Sequence, residues 1–109
     1  MTTVTFESEG NRILGFTVSG HSGLADAGED ILCAAVTSAV RLIECAINDV
    51  LGLGAPVRLR EEDAFLSLKL PGGLSDDIDQ LCQTLLAAMM LHFVQLAEEY
   101  PDNIIVMEV

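Results

Sequence analysis

His21 and Cys33 are the two residues of this chain best suited to chemistry by type and spacing. His21 lies in the glycine-punctuated run Gly20-His21-Ser22-Gly23. Cys33 follows twelve positions later in Gly28-Glu29-Asp30-Ile31-Leu32-Cys33-Ala34-Ala35-Val36-Thr37. An imidazole can take the proton of a thiol, and the thiolate is the reactive nucleophile. Cys33 also reads as part of the first turn of an apolar helix, where N–H groups without carbonyl partners favour a thiolate. Asp30 has two readings. It caps the helix, or it orients His21 and stabilises the imidazolium, and one carboxylate can do both. Thr37, one turn after Cys33, shares a helical stripe with Asp30 and Cys33. It can hydrogen-bond within a site, although such a threonine more often bonds the carbonyl four residues back. Gly20, Ser22, Gly23 and Gly28 give the loop freedom to fold back over the helix terminus and bring the imidazole to the thiol.

Plainer readings stand beside this one. Most cysteines flanked by Leu and Ala are inert core residues, and a loop histidine is commonly exposed. His21, Asp30 and Cys33 also make three mixed ligands that can hold zinc with one open position. No fourth ligand is evident, and the favoured reading needs neither metal nor cofactor. His92 lies in a second apolar helix and reads as structural. Cys45 and Cys82 read as small core residues.

The elements that would position these groups follow from the hydrophobic pattern. Thr3 to Glu7 alternates around Val4 and Phe6 as a strand, and Gly10-Asn11 marks a turn. Ile13 to Val18 makes the second strand of a hairpin. The loop from Ser19 to Glu29 leads into a helix from about Asp30 to Leu51, ended by Gly52, Gly54 and Pro56. Val57 to Glu61 and Ala64 to Leu70 are short strands around Glu62-Asp63. Ser75 caps a second helix with Asp76, Asp77 and Asp79 in its first turn. That helix runs to about Tyr100 before Pro101, and Ile104 to Val109 is a final strand. The order ββαββαβ predicts an α+β two-layer sandwich, with a mainly antiparallel sheet and two helices on one face. Residues 1–109 read as one domain.

Both helices are apolar around most of their circumference, more than one sheet face can bury. The surplus predicts a homodimer through the helices, unless the two helices bury one another. The window Leu81 to Ala97 contains Gln83, Thr84, His92 and Gln95, and reads as too short and too polar to span a membrane. The first residues, MTTVTFESEG, lack the basic and apolar regions of a signal peptide. Three cysteines without a CxxC pair argue for reduced thiols and a cytoplasmic setting. The formal charge is −12, with 17 acidic and 5 basic residues. This argues against direct nucleic-acid binding and suits a basic protein or peptide partner.

Gly20-His21 followed by Gly28-x-Asp30-Ile31-Leu32-Cys33-Ala34-Ala35-Val36-Thr37 resembles the signature of the ribosomal-processing cysteine proteases (Prp). The length, the element order and the acidic second half also fit, so the resemblance spans essentially the whole chain. It implies a bacterial, cytoplasmic α/β homodimer that removes an N-terminal extension from a large-subunit ribosomal protein. It makes Cys33 the nucleophile, His21 its base and Asp30 the supporting acid, with Gly20 and Gly28 shaping the loop. Ser22, Leu32 and Thr37 stand where the family often has alanine, valine and serine. None of these departures removes a reacting group. The competing expectation is a non-enzymatic module that binds ribosomal or other basic proteins through its helices and acidic face.

Overall fold

The computed structural model describes residues 1–20 and 31–109. Its elements are β1 (Thr2–Glu9), β2 (Arg12–Ser19), α1 (Ile31–Glu44) continued by a π-helical turn (Cys45–Val50), β3 (Val57–Arg60), β4 (Phe65–Lys69), α2 (Asp76–Glu99) and β5 (Ile104–Glu108). The ββαββαβ order stands as expected. The first two strands are longer than their apolar cores, because ladder hydrogen bonds continue through the polar residues that flank them.

The five strands lie in the order β3-β4-β2-β1-β5. Three neighbouring pairs are antiparallel, and β5 joins β1 in parallel. The parallel pair follows from α2, which carries the chain back down the sheet before β5 begins. Alternation along the strands sends Val4, Phe6, Phe16, Val18, Leu68 and Ile104 into the core, where they meet Leu32, Val36, Leu86 and Phe93 from the helices. Phe6 and Phe16 are cross-strand partners with ring centroids 6.2 Å apart.

One irregularity re-aims a side chain. Glu7 pairs with Gly15 and Ser8 pairs with Ile13, so Leu14 is an extra residue in β2. This bulge returns Ile13 to the core face. Gln83 of α2 clamps the site, accepting from the Ile13 N–H at 2.7 Å and donating to its carbonyl at 2.8 Å. Arg12 beside it forms a two-pronged pair with Asp79, with nitrogen–oxygen distances of 2.8 to 3.2 Å. The Asp79 carboxylate raises the Arg12 guanidinium above its usual value, chiefly through the hydrogen bond. Gly15 is required where it stands, since a Cβ there would overlap the Leu68 carbonyl oxygen.

Ser75 caps α2 as expected, its hydroxyl accepting from the Ile78 N–H. The first helix ends differently from a plain α-helix. The Leu51 N–H donates to the Ala46 carbonyl, five residues back, as in a π-turn. Asn48 then closes the connection to β3 by bonding both the N–H and the carbonyl of Ala55.

Two expectations need correction. Cys45 is exposed rather than in the core, because Ile43 and Ile47 on either side of it take the buried face. Cys82 is fully buried, as expected. His92 is also exposed, on the outer flank of α2, with its ring 5.9 Å from that of Phe93. By length and hydropathy alone, Ile31–Val50 and Asp76–Glu99 could each cross a membrane, with mean hydropathies of 1.6 and 1.3. The Leu81–Ala97 window understated the second of these. Here each helix lays one face on the sheet instead.

Candidate active site

Cys33 is the third residue of α1. Leu32 and Val36, 3% and 2% exposed, anchor this turn on the sheet. That anchorage turns Cys33 to the flank, where it is half-buried, and leaves Thr37 exposed one turn further on. Cys33 and Thr37 therefore share the stripe expected of them. A half-buried sulfur on this flank can be reached by a substrate carbonyl.

His21, Ser22, Gly23, Gly28 and Asp30 lie outside the described residues, as does the expected fold-back of their loop over the helix terminus. Gly20, at the mouth of that loop, is described. It has φ +82°, and a Cβ on it would overlap the Met1 carbonyl oxygen. Its N–H donates to the Asp63 carbonyl at 3.0 Å. The entrance of the loop is thereby pinned to the turn between β3 and β4, forty-three positions away in sequence.

That turn adds a feature the sequence reading did not find. A groove of about 230 Å³ runs between α1 and the β3–β4 hairpin. Val18, Thr37, Val40, Leu59, Ala64, Phe65 and Leu66 line it, with Arg60 and Glu61 at its rim. Thr37 connects this groove to the stripe that carries Cys33. The hairpin end is held firmly. Arg60 pairs with Asp63 at 3.1 Å and lies 4.1 Å from the centre of the Phe65 ring. The Ala64 N–H donates to the Glu61 carbonyl, and Ala64 takes φ +50°, the only positive φ of a non-glycine among the described residues. The only sequence signal for this groove is the exposed apolar Leu59 between two arginines on a short strand.

The other cysteines differ in kind. Burial, then the nearby Asp79 carboxylate, pushes the Cys82 thiol above its ordinary pKa and keeps it protonated. Among the described residues, no cluster of three or more His, Cys, Asp or Glu side chains could hold a metal ion.

Known proteins share this fold. The chain is 27% identical over 92 residues to the ribosomal processing cysteine protease Prp of Bacillus subtilis, an alignment spanning 84% of this chain and 82% of that one. SMU.848 from Streptococcus mutans superposes with a TM-score of 0.85 at 24% identity, covering all of this chain and 94% of that one. The Staphylococcus aureus processing protease Prp, solved with a covalently linked product peptide, superposes with a TM-score of 0.83 at 20% identity over the full length of both chains. The model of the family described as cysteine protease Prp matches residues 1–105, a span that includes the turn carrying Cys33. With its five-stranded sheet and its helix-borne cysteine, this chain belongs to the Prp family of cysteine proteases.

Proposed function

We propose that this protein is a cysteine endopeptidase that removes the N-terminal extension of a large-subunit ribosomal protein, and so supports ribosome assembly. The observation that carries this reading is the family match over residues 1–105, with Cys33 half-buried in the first turn of α1. The Bacillus subtilis relative is a ribosomal processing protease by name. The Staphylococcus aureus enzyme has been solved with a substrate peptide.

In the proposed mechanism, His21 takes the proton of the Cys33 thiol and the sulfur attacks the scissile carbonyl. N–H groups of the first turn of α1 stabilise the oxyanion. The tetrahedral intermediate collapses, the C–N bond breaks, and imidazolium returns the proton to the leaving amine. Water, deprotonated by His21, then hydrolyses the thioester and regenerates the thiol. Asp30 orients the imidazole and stabilises its charged form. Gly20, Ser22, Gly23 and Gly28 form the loop that closes over the peptide, and Thr37 supports the site from one turn below.

The enzyme works in the cytoplasm as a homodimer. No disulfide joins its cysteines, and apolar side chains remain exposed on both helices. Its excess of 12 negative charges suits a basic ribosomal substrate.

The test uses the host's ribosomal precursor, expressed with its extension and followed by mass spectrometry. The wild-type protein should release the extension at one bond. Cys33→Ala and His21→Ala should each lower the rate by about 10³-fold or more. Cleavage at the wild-type rate by Cys33→Ala would sink this reading.

A further inference from the structure

We propose that the substrate is held as an added β-strand on the outer edge of β3. In this arrangement one apolar side chain fills the groove above Leu59, and a basic residue further along meets Glu61 and Glu62. The proposal rests on the protease reading for what the bound peptide is, but not for whether it binds.

Three observations converge. The first is an open edge. β3 is the terminal strand of the sheet, and its pairing to β4 fixes which backbone groups face outward. The Lys69 N–H donates to the Pro56 carbonyl, so the residues that exchange bonds with β4 are Arg58 and Arg60. Val57 and Leu59 stand at the alternate positions. Their N–H and C=O groups point away from β4, and no described backbone group pairs with them. An extended peptide satisfies such an edge directly.

The second is register. A peptide residue opposite Leu59 on this edge would share its face of the sheet, which is the face that opens into the groove. The walls there are Val40, Leu59, Ala64, Phe65 and Leu66, and about 230 Å³ suits a side chain of leucine to phenylalanine size. Thr37 lies about 6 Å along the helix axis from Cys33. Two residues of extended chain span about 6.7 Å. A peptide running alongside α1 would therefore place the side chain in the groove about two residues from the scissile bond. Leu59 is 66% exposed, so this edge presents an apolar contact that the fold itself does not cover.

The third is charge. The chain leaving β3 enters Glu61-Glu62-Asp63, and among the described residues only Asp63 of these three has a cationic partner, Arg60. Glu61 stands at the rim of the groove and Glu62 is exposed beside it. A peptide carrying lysine or arginine next to its apolar anchor matches this order of groups.

The experiment measures binding to Cys33→Ala protein by fluorescence anisotropy, so that turnover plays no part. The probe is a synthetic peptide spanning the extension and the mature start of the ribosomal precursor. Leu59→Ala removes the apolar wall and keeps the N–H. Leu59→Pro also removes the outward N–H without breaking a bond to β4, a substitution an edge strand accepts. Affinity should fall about fivefold for Leu59→Ala and by about a further fivefold for Leu59→Pro, with melting temperatures unchanged. Alanine replacement of one apolar peptide residue should cost wild-type-edge protein about fivefold and Leu59→Ala protein much less. Glu61→Lys with Glu62→Lys should weaken the basic peptide and strengthen one whose basic residues are replaced by glutamate. No binding, or equal binding by all variants, overturns the proposal. So does a Leu59→Pro protein whose only change is a lower sedimenting mass, because the edge would then join two copies of this chain. If the peptide binds through this edge but is never cut, the processing reading fails and the docking surface stands.

Discussion

Cys33, Cys45 and Cys82 share a side chain and differ in how far solvent and reagents can reach it. Cys33 is half-buried near the start of α1, Cys45 is exposed on a π-turn, and Cys82 is sealed between α2 and the sheet. Thiolate fraction and access together set reactivity. Mass spectrometry after brief iodoacetamide treatment at pH 7 should find Cys33 and Cys45 modified and Cys82 untouched. Activity should be lost in step with Cys33 alone, and Cys45→Ala should keep full activity. The raised pKa of Cys82 also makes a stability statement. Its folded-state value lies above the unfolded one, so its contribution is complete below the unfolded thiol pKa of about 8.5. It is lost as pH rises from there through the folded value, because the unfolded chain ionises first. The fall in melting temperature above about pH 8.5 should be shallower in Cys82→Ala.

At the scale of elements, the β3–β4 hairpin is the piece that sequence pattern describes least well and that matters most to the site. Both strands were legible, as Val57 to Glu61 and Ala64 to Leu70, each one or two residues longer than the observed Val57–Arg60 and Phe65–Lys69. Their turn was legible as Glu62-Asp63. Nothing local announced that Asp63 would accept from Gly20, or that Ala64 would sit at φ +50° against the groove. A left-handed alanine costs roughly 1 kcal/mol relative to glycine. Ala64→Gly should therefore stabilise the protein by up to about 1 kcal/mol in urea unfolding. Because the alanine Cβ lines the groove, the same variant should show altered peptide affinity. At the other end of the hairpin's neighbour, α2, Ser75→Ala should cost about 1 kcal/mol through the lost cap.

For the whole molecule, the question is what covers the outer side of the helix layer. Leu42, Val50, Leu81 and Leu91 are each at least half exposed. A groove of about 480 Å³ between the helices is lined by Ala35, Leu42, Ile43, Ala88, Met89 and His92, among others. Apolar surface of this extent on one side of a small protein is the mark of an interface. The proposed dimer places this face against its own copy, leaving the β3 edge and the flank carrying Cys33 for substrate. Leu42→Glu with Leu91→Glu should convert a dimer to a monomer in analytical ultracentrifugation at micromolar concentration. Both side chains are exposed in the single chain, so circular dichroism should be unchanged. A single mass equal to the monomer for the wild-type protein would remove the dimer proposal. Phe93→Ala, deep in the core of each copy, should instead cost about 3–5 kcal/mol of fold stability.

The order of elements, the helix that carries Cys33, the cap at Ser75 and the surplus of apolar helix surface are all written in the local sequence. These depend on interactions within a few residues: side-chain periodicity, caps, and the breaks at glycine and proline. It also marked His21 and Asp30 as partners for the thiol, and they lie outside the described residues. The bulge that aims Ile13 inward, the exposure of Cys45, the parallel seat of β5 and the groove at Thr37 came only with the folded chain. Each of these depends on which distant backbone lies alongside. Gly20 and Asp63 meet because β2 and β4 are neighbours in the sheet, and Leu59 is an open edge because no strand follows β3 on that side. Periodicity tells a residue which way to face. Pairing across the chain decides what it faces.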